Sequence, residues 1–589
     1  MTGYMRSGRM PKIFATTGVT LLCTVLHAQV PTVEWQQQAE AEGASIHPTR
    51  TAVDSQGNTY VAGHFGDAMH VGDTVLQVNN APTVDVFLSK FDAEGAHLWS
   101  RSFGAEGTDQ VYGLCVDAED HVLIAGRTSS EVMELGGITI TKGASNFAGF
   151  WARFDGEGTC TAARATDCVA PFPALSNTSI NAITTDAAGR IYITGGWRAD
   201  TLRFDGHVLV NERPTDQVLG TNVFVARFTV SGVCEWLIGN GPGTVPGNSN
   251  AGYAIEAAAT GKVFVGGVFG GNRMLFGTRM LECFDLDEGF YASLDAADGS
   301  VDWVRAVRGA NVGSNTYDGV NAVVAGANGE LFVSGNYVGH QVDVDSLLVL
   351  PSPLNVNANK GFVLQVQAND GLPVWGRVLG ESATGNANVG EMEIAPTGEE
   401  LALSMNYNGE VEFGAVAPPS AVNTNGLTLL MDLNGIPTRG LALTGNGGQS
   451  MTGAVYDAAG DMRVCGKYDG TAVQMGAAAW SNPQSTGQFY TLILCKLGIP
   501  PVGVQDLARR EQLHVFPNPC ADALWLQMED TTDEVELRII SLDGRVVSVV
   551  HARPMNGSVR VDTERLSAGT YLLHYVLSDR QGAVRFVRE

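Results

Sequence analysis

A four-residue pattern returns along most of this chain: two apolar residues, a small residue, then usually glycine. It reads YVAG at Tyr60–Gly63, LIAG at Leu123–Gly126, YITG at Tyr192–Gly195, FVGG at Phe264–Gly267 and FVSG at Phe332–Gly335. Two looser copies follow, ALSM at Ala402–Met405 and RVCG at Arg463–Gly466, and successive copies lie 61 to 72 residues apart. A chain with this period builds one supersecondary unit many times and buries each unit against its neighbours. Few charges (17%) and 72 glycines suit short strands and turns better than long solvated helices.

Within each unit the strand before the marker ends in a turn. Asp54, Asp117, Asp186 and Asp457 occupy that turn, replaced by Ala258, Ala325 and Ala395 in other copies. Interchange with alanine assigns these carboxylates to turn chemistry rather than to calcium or catalysis, since Asp side chains bond nearby backbone. After the marker comes a variable hairpin of alternating apolar residues, such as MHVGDTVLQV from Met69 and VDVDSLLVLP from Val342. These hairpins are the expected surface decorations and carriers of binding.

A third strand follows. Its apolar series runs Phe87, Phe150, Phe224, Phe290, Phe362, Leu429 and Ile493, with a second series four residues on from Phe91 to Leu497. The opposite face, from Leu88 and Trp151 to Leu494, is apolar too. A strand apolar on both faces lies between stacked sheets, so these aromatics are packing, not a ligand platform. A fourth strand carries Trp99, Trp236, Trp303 and Trp375.

The seventh copy lacks a fourth strand, because Leu497 runs into GIPPVG. The missing piece stands at the other end: Val33-Glu34-Trp35-Gln36 is similar to Leu98-Trp99-Ser100-Arg101. An N-terminal strand that completes the last sheet removes an exposed edge. The expectation is an all-β chain: a seven-bladed β-propeller over residues 29–498 closed by an N-terminal strand, a linker over 499–512, and a small C-terminal β-sandwich over 513–589. Thr51–Trp99 resembles the SBBP family of bacterial β-propeller repeats. That resemblance implies an exported propeller with no common ligand or activity.

Arg6, Arg9 and Lys12 precede the mostly apolar run Ile13–Leu26, which reads as a secretory signal over residues 1–28 with cleavage between Ala28 and Gln29. Leu22 before Cys23 is too large for a lipobox, and no later stretch suits a transmembrane span. Eight cysteines remain. Export permits disulfides, but Cys115, Cys465 and Cys495 sit at apolar strand positions and read as buried small hydrophobes.

The pattern changes from His514. Short strand candidates alternate with turns at Asp543-Gly544, Asn556-Gly557 and Ser567-Ala568-Gly569. Phe516-Pro517-Asn518-Pro519, the Asp543-Gly544 turn, Leu566-Ser567-Ala568-Gly569-Thr570-Tyr571 and the terminal Val584–Arg588 resemble the type IX secretion C-terminal sorting domain (Por secretion tail) of Bacteroidota. The resemblance implies that the secretion machinery and its sortase are partners, that cleavage falls around Gly498–Arg510, and that surface lipopolysaccharide attachment can follow. The expected location is the cell surface, at the outer membrane, or the extracellular medium.

A net charge of −26 repels nucleic acid and anionic lipid. HExxH, GxSxG and GxxxxGK[ST] are all absent, as is an EF-hand loop, so no catalytic, cofactor or metal residue is assigned and structural calcium has no supporting motif. His64 and His340 are expected at the surface or a channel rim rather than as ligands. The leading expectation is a non-catalytic binding or adhesion module for a glycan or protein. Alternatives are a polysaccharide hydrolase or lyase, marked by carboxylates and aromatics clustered at one channel mouth, and a structural surface component without a ligand.

Overall fold

The computed structural model describes residues 31–589 apart from 170–175, 212–219, 241–248, 272, 285, 310–317, 328, 353, 355, 383, 415, 483–488, 500–514, 528–534, 542–545, 555–557 and 577–580. The signal segment with Ala28 and Gln29 lies outside them. The described residues form strands and turns without a helix. Two compact units divide the chain, one ending at Lys496 and one beginning at Leu497.

The first unit holds seven antiparallel meanders of four strands among the described residues. Sheet 1 runs outward through Ile46–Val53, Thr59–Gly66, Val84–Phe91 and His97–Phe103. Sheets 2 to 6 open on Asp109–Val116, Asn177–Thr185, Ala251–Ala257, Gly319–Ala325 and Asn386–Ile394. Sheet 7 takes Gln449–Tyr456, Met462–Tyr468 and Thr491–Gly498, and its fourth strand is Thr32–Glu42 from the start of the chain. Each opening strand touches the next in cyclic order, and the last, Gln449–Tyr456, touches the first, Ile46–Val53. The ring is therefore closed.

Packing between sheets explains the doubly apolar third strand. Phe87, Leu88, Phe150, Trp151, Phe224 and Val225 are all fully buried, each burial contributing roughly 1.5–3 kcal/mol for a large apolar side chain. The outer tryptophans add one repeated polar bond. Trp99, Trp236, Trp303 and Trp375 each donate Nε1–H to a main-chain carbonyl of the following sheet, at 3.0, 3.2, 3.2 and 3.1 Å. Trp35 of the N-terminal strand makes the same bond to Ala93 of sheet 1, at 3.0 Å.

The variable hairpins differ from their expected role. Ala68–Val71 of repeat one pairs with Thr32–Glu42, the outer strand of sheet 7. Gln341–Val344 pairs with the outer strand of sheet 4, and Ala472–Met475 with that of sheet 6. Thr201–Phe204 pairs with Asp167–Val169, just beyond the outer strand of sheet 2. Each of these four hairpins thus covers the edge of the preceding repeat. Unpaired edge N–H and C=O groups favour this cover, and the inward residues Met69, Leu202, Val342 and Val473 are buried by it.

The C-terminal unit has a three-stranded sheet of Val515–Phe516, Ala523–Gln527 and Ser558–Asp562, and a four-stranded sheet of Val535–Ser541, Val546–Ala552, Gly569–Val576 and Gln581–Arg588. Leu524, Leu526, Val559 and Val561 from the first share a core with Leu537, Ile539, Leu573 and Phe586 from the second. Cys520 belongs to that core. Among the described residues eight cysteines are free thiols, seven of them buried.

Candidate functional site

Every opening strand carries a β-bulge near its start. The register skips Thr49, Tyr112, Asn181, Tyr253, Asn321, the pair Gly390-Glu391, and Thr452. A bulged residue leaves the ladder and its side chain is re-aimed. Here all seven positions turn to one place: Thr49, Tyr112, Asn181, Tyr253, Asn321, Gly390 and Thr452 line a cavity of about 620 Å³ at the mouth of the central channel. That volume lies within the range of small-ligand pockets.

Several mouth residues stitch the sheets together. Thr49 Oγ1 donates to Val111 O at 2.9 Å, Asn181 Nδ2 to Gly252 O at 2.9 Å, and Asn321 Nδ2 to Val389 O at 2.8 Å. Arg50, next to the first bulge, forms an ion pair with Glu391 of sheet 6, past the intervening sheet 7. Tyr253 is 40% exposed.

A second varying position follows the marker: His64, Arg127, Gly196, Val268, Asn336, Asn406 and Lys467. Asn336 and Asn406 each bond both main-chain groups of a residue in the next sheet, Val389 and Met451. The other side of the ring differs. Lys467 Nζ lies 2.9 Å from His47 Nδ1, and the His47 and His64 rings stack at 5.2 Å. His64 Nε2 is 3.4 Å from Gln110, whose Oε1 accepts two N–H groups of Arg127 at 2.9 and 2.7 Å. Arg127 covers the Phe147 ring at 4.4 Å. Burial and the charges of Lys467 and Arg127 hold His64 down to about 3, and burial with Lys467 holds His47 down to about 4. Both rings are neutral at physiological pH.

Below the mouth the opening strands enclose a channel of about 370 Å³. Glu256, Glu391 and Glu393 line it with Arg50 and Cys115. Burial pushes Glu256 up to about 7; burial, with Glu256 and Glu391 adding repulsion, pushes Glu393 up to about 8. Among the described residues no group of three His, Cys, Asp or Glu is disposed to hold a metal.

The turn aspartates do what their interchange with alanine implies. Asp54 Oδ1 accepts the N–H of Gln56 and Asn58, Asp117 Oδ1 those of Glu119 and His121, and Asp457 Oδ1 those of Ala459 and Asp461. His64 is half-buried beside Gln110, which holds the mouth residue Arg127, and is not part of the mouth lining. His340 is exposed, and its carbonyl accepts the N–H of Ser352.

The bulge column escaped the sequence reading. Thr49, Tyr112, Asn181, Tyr253, Asn321, Glu391 and Thr452 each stand fourteen residues before the last residue of their marker. That constant offset, with residue type changing at every copy, was the available signal.

In the C-terminal unit, Asn518 is held by Arg585 O at 3.1 Å and by the N–H of Val587 at 2.9 Å. Its neighbours Pro517 and Pro519 are exposed. Leu566 N–H donates to Thr563 O at 3.0 Å. Tyr571 follows Gly569 by two residues, stacks on Phe586 at 5.7 Å, and donates its hydroxyl to Ser567 O at 2.9 Å. Asp543 and Gly544 lie outside the described residues.

An uncharacterised WD repeat-containing protein of Acanthamoeba polyphaga mimivirus is 28% identical over 225 residues, 35% of this chain and 15% of that protein. BamB from Moraxella catarrhalis is similar at 13% identity, with 80% of this chain and 99% of that one covered and a TM-score of 0.35. Quinohemoprotein alcohol dehydrogenase from Comamonas testosteroni is similar at 12% identity, with 84% and 79% covered and a TM-score of 0.39. No helix among the described residues is long and apolar enough to cross a membrane. Residues 514–587 match the family of secretion system C-terminal sorting domains, so the protein engages that machinery and is exported by the type IX route to the cell surface or extracellular space.

Proposed function

We propose that this protein is an exported, non-catalytic binding module that takes its ligand at the channel mouth. In this reading the seven sheets are the blades of a closed seven-bladed β-propeller of SBBP type from a member of the Bacteroidota. The two C-terminal sheets are a β-sandwich, removed by a sortase, with surface lipopolysaccharide as a possible anchor. A signal peptide ending at Ala28 starts the route, and no cofactor is needed. One observation carries the proposal: seven equivalent bulges bring Thr49, Tyr112, Asn181, Tyr253, Asn321, Gly390 and Thr452 to one pocket, with no single residue type repeated throughout. Packing symmetry would repeat a residue there, as it does along the third strand. The test is a glycan and matrix-protein array probed with the exported protein and with Tyr253→Ala. Selective binding by the first, lost in the second, is expected; a blank array sinks the proposal.

A second reading, a polysaccharide hydrolase or lyase, is favoured by Glu256 and Glu393 in the channel, whose raised carboxyls suit a general acid. The observed arrangement favours binding instead. Glu391 is paired with Arg50, and Glu256, Glu391 and Glu393 line the channel but not the mouth. Release of reducing ends from any arrayed glycan, abolished by Glu393→Gln, would establish the second reading.

A further inference from the structure

The mouth departs from the charge of the molecule. The chain has 62 acidic residues, yet among the described residues no Asp or Glu lines the mouth, and Arg50 and Arg127 both do. Arg50 is satisfied by Glu391. Arg127 and Lys467 make no carboxylate pair among the described residues. They converge on His64 from the sheets on either side, each acting on its charge. Asp287 acts on Tyr253 and Asp469 on Tyr490.

The hydrogen-bonding character of the mouth is equally one-sided. Thr49, Asn181 and Asn321 spend donors on neighbouring carbonyls. A carbonyl partner obliges each amide to turn its NH2 group toward it, which leaves the side-chain oxygen as an acceptor for the mouth. A ligand matching this lining brings donors to the oxygens, an anionic group to Arg127, and a flat apolar face to the exposed ring of Tyr253. Sugar hydroxyls supply the first, a carboxylate or sulfate the second, and a pyranose ring the third. An acidic peptide brings carboxylates but few donors of this kind.

We propose that the mouth binds an acid-bearing carbohydrate, a sugar chain carrying carboxylate or sulfate groups, with its acid on Arg127 and its hydroxyls on Thr49, Asn181 and Asn321. This deepens the binding reading above and rests on it. The test is calorimetric titration of the full exported chain at low salt with four probes: tetragalacturonate, a sulfated galactose tetramer, the neutral galactose tetramer and a glutamate peptide of equal charge. The acid-bearing sugars should bind at least about 10-fold more tightly than the neutral one, the scale of a charge-assisted hydrogen bond. Raising the salt to 0.5 M should erode that margin. Arg127→Ala should remove most of it, the acid-bearing sugars losing far more affinity than the neutral one, with near-ultraviolet circular dichroism confirming the fold. The two acid arms tell carboxylate from sulfate. Equal binding of the neutral tetramer, lost in Tyr253→Ala, overturns the acid assignment and leaves the mouth as the binding site. Binding of the glutamate peptide as tightly as the acidic sugars overturns the carbohydrate assignment. Binding of none of the four overturns this proposal; whether the parent reading falls with it is decided by the array.

Discussion

Glu393 shows how one side chain reports the state of the channel. Burial first, then Glu256 and Glu391, raise its carboxyl from 4.5 to about 8. Between those values the folded protein holds a proton that the unfolded chain releases. Folding stability from this group therefore falls as the pH rises from about 4.5 toward 8. Tyr456 faces the same group, its hydroxyl bonded to Glu400 at 3.3 Å, and Arg50 is committed to Glu391, so no cation relieves Glu393 directly. Glu393→Gln keeps the shape and removes the titration. The melting temperature of the variant should fall less than that of the wild type between pH 5 and 8.5, and should be higher at pH 8.5; parallel slopes in scanning calorimetry would refute the coupling. None of this is legible from the chain, where Glu393 is one of 62 acids.

At the scale of the element, one contact joins successive sheets and can be tested where the ring closes. Trp35 bonds Ala93, and Gly95 in the same turn sits at φ 87°. A Cβ there would lie 2.5 Å from the Trp35 ring. Gly206 has nearly the same φ, 90°, with open space around it. Gly206→Ala should cost about 1 kcal/mol for the left-handed backbone alone, whereas Gly95→Ala adds overpacking and should cost about 2–4 kcal/mol. Urea unfolding of both variants checks this, and equal losses would mean that the closing contact does not hold the ring. The repeat itself was legible, because strand period and burial on both faces are local properties of sequence. The bulges were not, because a bulge is a mismatch between two strands and neither strand shows it alone. The hairpins were legible as strands, but their partners were not, since four of them pair with the preceding repeat.

For the molecule as a whole, the C-terminal unit decides where the ring of sheets ends up. Deleting Val515–Glu589 should hold the protein inside the outer membrane, read by protease accessibility on intact cells; undiminished surface display would contradict the sorting role. The unit has its own core, so the deletion should leave the melting of the ring intact. Charge also acts at this scale. A net −26 keeps the molecule soluble and repels polyanions at long range. By itself the sequence determined the repeat, the packing role of its aromatics, the borrowed closing strand and the sorting tail, because each is written as a spacing or a short ordered motif. Only the tertiary structure decided the channel mouth. Its residues come from seven strands spread from Thr49 to Thr452, and nothing but closure of the ring brings them within reach of one ligand.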